Sequence, residues 1–355
     1  MNNEVWVLGA TGRTGRMIAR RLHEAGVALV LVGRDRERLE GVAAGLGGAP
    51  RLLVGSLGST LAGLAQDRPG VVVNTVGPFT TTAAQVARAC PAGTHYVDVT
   101  NELPAVQQIL ALDRQAAAGG QVFVTGAGFG VLATESVLLR LCHGQPPPAR
   151  VRVDAMASVG MEAGAVGAAL AGTIVGILSS SGREVRHGRL VGSRVAAHPA
   201  QLTTPDGDVL ATRSGASGEL IAAWRASNAG SVIAATALVP SGAFTRFVLP
   251  ALPAVLRIPG VRPLAVSAIA RIPQHAQQRP RTWSWAHARA EWPSGEAREG
   301  WLRIGDGHDF TAAAATEVTR RLLEGQGRPG ADTPGALFGP ELAEAAGGTF
   351  ILDRP

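Results

Sequence analysis

The hydrophobic positions of the first part of the chain fall into short apolar runs separated by amphipathic stretches. Val5–Leu8, Ala28–Val32, Arg51–Val54, Val71–Asn74, Thr94–Val99 and Gln121–Val124 read as strands. Val71-Val72-Val73 is a continuous apolar run of the kind found in a parallel sheet covered on both faces. Between the strands, the stretch that closes on Leu22, then Asp35–Leu46, Thr60–Gln66, Thr81–Ala89 and Leu103–Ala117 have helical character. This alternation predicts an α/β fold with a doubly wound parallel sheet. Pro146-Pro147-Pro148 blocks a helix and stiffens a linker, so it marks a domain boundary, and a strand over Val151–Val159 opens a second domain.

Beyond that point the pattern changes. Ala163–Leu178 is apolar and rich in glycine and alanine, too short and too broken for a membrane span of about 20 residues. From Val185 to Val239 short alternating runs predict strands joined by turns, with Asp206-Gly207 as a hairpin signal. Phe244–Ile272 alternates apolar clusters with Pro250, Pro253, Pro259 and Pro263 and with Arg246, Arg257, Arg262 and Arg271. Broken helices of this kind suit a greasy substrate entrance, contact with an anionic membrane surface, or a partly buried cap or homodimer surface, and the pattern leaves these open.

The first strand meets its helix through Gly9-Ala10-Thr11-Gly12-Arg13-Thr14-Gly15. After Leu8 the backbone must turn sharply and admit a pyrophosphate. Gly9 and Gly12 suit positions where a Cβ would obstruct, and Gly15 allows the helix to pack closely. The N–H groups at the helix start then face the phosphates. A glycine triplet carries little weight in a chain with 46 glycines; its weight comes from the strand, turn, helix, strand context. The second strand runs into Gly33-Arg34-Asp35-Arg36, where the adenine ribose is read. Arg34 replaces the usual acid there, and a guanidinium forks onto phosphate oxygens where a carboxylate would repel them. The expected cofactor is therefore NADP(H), with Arg13 as a second cation for the same phosphate. Asp35 keeps NAD(H) open, and Arg34 and Arg36 also suit solvated charges at a helix start. The fourth strand leads into Asn74-Thr75-Val76-Gly77-Pro78-Phe79, at the sheet edge that meets the nicotinamide half of a dinucleotide.

Composition narrows the chemistry. At 355 residues the chain has room for about two domains. It contains no lysine: all 33 basic residues are arginine. That excludes a Tyr-Lys reductase pair, a Schiff-base lysine and a Walker lysine. The net charge of +6 reflects an arginine bias and points to no nucleic-acid partner, although a basic field attracts an anionic cofactor or substrate. Cys90 and Cys142 are too few for a disulfide framework and read as small buried hydrophobes. No basic segment followed by an apolar signal core opens the chain, so a cytoplasmic setting is expected. The eight histidines show no paired ligand spacing, and no metal is assigned.

The segments VLGATGRTG, VNTVGPF, AGTHYVDVTNE and TGAGFG, in that order, resemble saccharopine dehydrogenase-like oxidoreductases. The resemblance covers about the first 140 residues and returns at Asp309–Ala314 and Thr333–Gly339. It implies a Rossmann domain over 1–145 that binds NADP(H), with Gly126, Gly128 and Phe129 joining the residues above at the cofactor. It also implies an α+β domain over 151–308 on a mostly antiparallel sheet, and a segment 309–355 that returns to the first domain. Two departures stand out. Val54-Gly55-Ser56-Leu57 lacks the acid many relatives carry near the adenine, and the sequence after Gly128-Phe129 differs from the relatives' usual turn.

Tyr96, Asp98 and Glu102 are the candidates for proton handling, Tyr96 and Asp98 being proposed as catalytic. Tyr96 and Asp98 share strand parity and face the same way. A packing tyrosine and a helix-capping acid are the competing readings. His95 falls on the opposite face and reads as packing. Arg225 suits a carboxylate clamp or a sheet edge, and Trp283, Trp285 and Trp292 suit an apolar pocket or core. The resemblance implies reduction of a C=N or activated C=C bond in a small molecule, and the apolar middle leans toward a lipid-like or secondary-metabolite substrate. A non-catalytic NADP(H)-binding sensor or scaffold is the alternative.

Overall fold

The structure is a computed structural model that describes residues 3–160, 164–165, 171, 175, 182–194, 196–237, 260–274 and 279–352. It divides into two compact units, Met1–Gly128 with His308–Gly347, and Phe129–Gly307 with Gly348–Pro355.

The first unit is built on a seven-stranded, all-parallel sheet. Its strands are β1 (Val5–Leu8), β2 (Leu29–Gly33), β3 (Arg51–Val54), β4 (Val71–Asn74), β5 (His95–Asp98), β6 (Val122–Val124) and a late strand, Gly330–Asp332. The order is Gly330–Asp332, β6, β5, β4, β1, β2, β3. The direction of winding therefore reverses between β1 and β4, a switch point at which open α/β sheets take their ligands. The strands β1 and β4 are wholly buried, as their unbroken apolar runs require. Trp6, Leu8, Val72, Tyr96 and Phe123 share one core, in which the Tyr96 ring stands edge-on to Phe123 at 5.9 Å.

The helices of this unit are α1 (Arg13–Glu24), α2 (Arg36–Leu46), α3 (Leu57–Asp67), α4 (Phe79–Ala89), α5 (Leu103–Leu110) and α6 (Asp113–Ala118). The single helix expected over Leu103–Ala117 is divided, because Leu112 N–H turns back to the Ile109 carbonyl and closes α5 with a tightened turn. The break sets Asp113 at the head of α6, where its carboxylate accepts the Ala331 N–H at 2.9 Å and helps hold the late strand.

The second unit carries a nine-stranded mixed sheet. Its main path runs Arg189–Ser193, Gly182–Arg186, Ser231–Thr236, Arg150–Met156, Ser284–Glu291, Ala297–Ile304, Thr349–Leu352. A hairpin of Ala200–Thr203 and Val209–Ser214 attaches to Ser231–Thr236. Among the described residues of this sheet only Arg150–Met156 and Ser231–Thr236 pair in parallel; the other pairings are antiparallel, which gives the α+β character expected. Gly207 turns the hairpin with φ +93°.

Two boundaries differ from the sequence reading. The helix α7 (Phe129–Cys142), which the prolines at 146–148 assign to the first domain, groups with the second unit. Ten of its residues, Phe129, Val131–Leu138 and Leu141, are buried. The segment expected to return to the first domain as a whole is divided, since Thr349–Leu352 extends the second sheet. Most of the apolar stretch 163–178, and 244–259 of the proline- and arginine-punctuated stretch, lie outside the described residues. Among the described residues no helix is long and apolar enough to cross a membrane.

Candidate functional site

Leu8, Asn74 and Asp98 stand in register at the carboxyl ends of β1, β4 and β5, so the loops that follow them leave from one sheet edge. Gly9 adopts φ +81°, and its N–H and that of Ala10 both bond the Val32 carbonyl, which fixes the turn against β2. The Thr75 hydroxyl donates to the Leu8 carbonyl at 2.7 Å and crowds the space a Gly9 Cβ would take. A Cβ on Gly15 would fall onto the Gly9 carbonyl oxygen. The turn therefore tolerates only glycine at both positions, and α1 starts directly beneath it.

The start of α1 differs from that of its neighbours. Its N-cap, Gly12, has no side chain, and its first turn holds no acid. By contrast, Asp35 caps α2 through the Arg38 N–H at 3.1 Å, and Ser56 caps α3 through the Ser59 N–H. The Glu102 carboxylate accepts both the Phe79 and Thr80 N–H groups at the head of α4, at 3.1 and 2.8 Å. The bare, electropositive end of α1 beside a turn that admits no Cβ fits a diphosphate.

At the end of β2 the charges are divided between roles. Asp35 caps a helix, and Arg36 lies 3.8 Å from Glu40 on the next turn. Arg34 is exposed and has no hydrogen-bond or ion-pair partner among the described residues. Arg13 is half-buried and donates to His308 Nε2 at 3.1 Å, on the helix Gly307–Leu323, while Arg16 donates to the Thr11 carbonyl. His308 has no local sequence signal that would link it to this loop, being 295 residues away from Arg13.

Tyr96 and Asp98 do face the same way, as parity predicts, but into the protein. Both are completely buried. Asn74 Nδ2 donates to Tyr96 Oη at 3.2 Å, and the Tyr96 hydroxyl donates to Asp98 at 2.9 Å. Asp98 also accepts the N–H groups of Thr100 and Gly126, at 3.0 and 2.9 Å, and the Thr125 hydroxyl at 3.1 Å. Burial pushes the Asp98 carboxyl up to about 6 against the pull of these donors, and burial followed by the Asp98 charge raises the Tyr96 hydroxyl. The pair proposed as catalytic is thus enclosed, its polar atoms bonded to each other, to Asn74 and to the backbone of the loops that follow β5 and β6. His95 packs on the other face, accepting the Val122 N–H on Nδ1, and burial lowers its pKa.

The loops carrying Gly9–Gly15, Arg34, Asn74–Phe79, Gly126 and Gly128 belong to the first unit, whereas Phe129 opens α7 in the second. The Gly77-Pro78 bond is cis. The tryptophans do not form one trio: Trp285 packs with Met156 and Trp301, while Trp292 donates to the Pro146 carbonyl at 2.7 Å and lies under Arg298. Arg225 sits in the last turn of the helix Gly218–Ser227, not on a strand. Among the described residues no group of acids, histidines and cysteines is arranged to hold a metal.

No protein-family model matches the chain. Over 141 residues it is 35% identical to a trans-acting enoyl reductase of Mycobacterium tuberculosis, covering 37% of this chain and 34% of that protein. A trans-acting enoyl reductase of Mycobacterium ulcerans is 33% identical over the same length, with the same coverage. The chain thus spans about a third of the length of the curated relatives it matches. Among solved structures, the saccharopine dehydrogenase (L-Glu forming) of Saccharomyces cerevisiae superposes with a TM-score of 0.60 at 12% identity, covering 99% of this chain and 100% of that one. Along nearly the whole chain the fold is that of saccharopine dehydrogenase, and over about a third of the chain the sequence is similar to that of the mycobacterial trans-acting enoyl reductases.

Proposed function

We propose that the chain is an NADP(H)-dependent reductase of a small molecule. The observation that carries this reading is the turn at the switch point, where Gly9 and Gly15 exclude side chains and α1 presents an uncapped amino end. The backbone of Gly12–Gly15 would receive the diphosphate, as amides at a helix start do. Arg34, exposed and without a partner among the described residues, would fork onto a 2′-phosphate, and the use of Asp35 as a helix cap favours NADP(H) over NAD(H). Asn74–Phe79 and the Gly126–Gly128 turn would line the nicotinamide half. When bound, the coenzyme supplies a hydride. The protein's part is to orient it, exclude water and control the proton that accompanies the hydride.

The mycobacterial relatives are named enoyl reductases, so an activated C=C bond in a lipid-like or secondary-metabolite substrate is the first substrate class to test, with imines second. The loss of NADPH absorbance across enoyl and imine substrates tests the reading. Turnover of either class supports it, and tight NADPH binding with no turnover would favour a sensor or scaffold instead.

A further inference from the structure

The bonds at the sheet edge form a closed circuit that grips the Asn74–Phe79 loop at both ends. One branch leaves Asp98 through the Tyr96 hydroxyl to Asn74 Nδ2. Because the Tyr96 proton is committed to Asp98, the phenol oxygen can only accept, and Asn74 must present its NH2 to it. That choice turns Asn74 Oδ1 toward the Val76 N–H, which it accepts at 3.0 Å. The other branch leaves Asp98 through the Thr100 N–H. The Thr100 hydroxyl oxygen accepts the Glu102 N–H at 3.0 Å, and the Glu102 carboxylate accepts the N–H groups of Phe79 and Thr80. A third contact ties the Asp98 carboxylate itself to Thr125 and Gly126, at the turn after β6.

Asp98 is buried completely, and none of the partners it holds is a cation. Enclosing a carboxylate without a cation costs the fold even where neutral donors fill its acceptor sites, so its presence calls for a reason other than stability. Two of the loops it joins, Asn74–Phe79 and the Gly126–Gly128 turn, are those assigned above to the nicotinamide half. We propose that Asp98 is a positioning residue, fixing through Tyr96–Asn74 and through Thr100–Glu102 the two ends of the Asn74–Phe79 loop, so that the coenzyme meets a surface set before it binds. The coenzyme part of this inference rests on the NADP(H) reading; the circuit itself does not.

Each branch has its own variant. Tyr96→Phe keeps the ring and removes only the hydroxyl, while Glu102→Gln keeps the shape and faces an NH2 toward one of two amide donors. Hydrogen exchange of the coenzyme-free protein is the first readout. Tyr96→Phe should speed exchange at Val76 about 5- to 10-fold and leave Phe79 and Thr80 unchanged, and Glu102→Gln should do the reverse. Asp98→Asn, which cannot satisfy four donors, should loosen both ends and Gly126; if it does not fold, the two single-branch variants decide the matter. In the second readout, each folded variant should weaken NADPH binding about 5-fold or more, with the preference for NADPH over NADH intact. Exchange that does not follow the branches, or loosened ends with unchanged NADPH affinity, would overturn the inference. Failure of the unmodified protein to bind either coenzyme would instead refute the NADP(H) reading, with the exchange pattern still judging the circuit.

Discussion

Each unit encloses an aspartate completely, and the two are treated in opposite ways. Asp98, in the first unit, is held by neutral donors from its own strand and from the loops after β5 and β6. Asp154, in the second, meets His287 Nδ1 at 3.0 Å and the Arg152 guanidinium at 2.9 Å, and His287 bonds onward to Glu299 at 2.9 Å. Burial raises Asp98. Burial also pushes Asp154 up, but the His287 and Arg152 bonds prevail and hold it below the usual carboxylate range. His287, though buried, is held above its ordinary value by Asp154 and Glu299. Register explains the second cluster: His287 lies opposite Asp154 on the neighbouring strand, so strand pairing alone brings them together. The first cluster instead gathers loop ends. One carboxylate braces a sheet and the other ties loop ends together.

The largest expected effect breaks the braced sheet. Arg152→Ala or His287→Ala leaves a buried charge short of its partner and should cost about 3–5 kcal/mol in denaturant unfolding. NADPH affinity of the folded fraction should not change; a parallel loss of affinity would erase the contrast between the clusters.

The pH dependence sharpens the same contrast. The pKa of Asp98 is higher in the folded than in the unfolded chain, so its contribution to stability is full below about pH 4 and is lost as the pH rises through about 6, on the order of 3 kcal/mol. The pKa of Asp154 is lower when folded, so its contribution is present above about pH 4 and is lost as the pH falls through the depressed value. Unfolding free energies measured across acid pH should lose the first slope in Asp98→Asn alone. A slope of the same sign for both residues would contradict the assignment.

Arg34→Asp should weaken NADPH by about 30- to 100-fold and NADH far less, read by coenzyme titration, since a charge-assisted fork is replaced by repulsion. The smallest effect belongs to its neighbour. Asp35→Ala should cost about 1 kcal/mol of stability through the lost α2 cap and leave coenzyme preference alone. A swap in that preference would assign Asp35 to the ribose.

Features set by local backbone demands were legible in the sequence. A positive φ at Gly9 and the close approach at Gly15 leave a glycine signature, and continuous apolar runs mark buried parallel strands. Strand parity correctly put Tyr96 and Asp98 on one face, yet it could not say whether that face was open. The donors that enclose Asp98 come from Thr100, Thr125 and Gly126, and only the fold gathers them. Glu102 reaches the head of α4 from 23 residues away, with no local motif. The late strand Gly330–Asp332 has three residues and ends in an acid, so no periodicity announces it. With ten buried residues, α7 offers little amphipathic stripe to show which unit it covers.

Calorimetric titration of the unmodified protein with NADPH and with NADH tests the central claim most directly. The expected result is one site per chain, with NADPH at least about tenfold tighter, the preference collapsing in Arg34→Asp. Heat of binding from neither coenzyme would contradict the account.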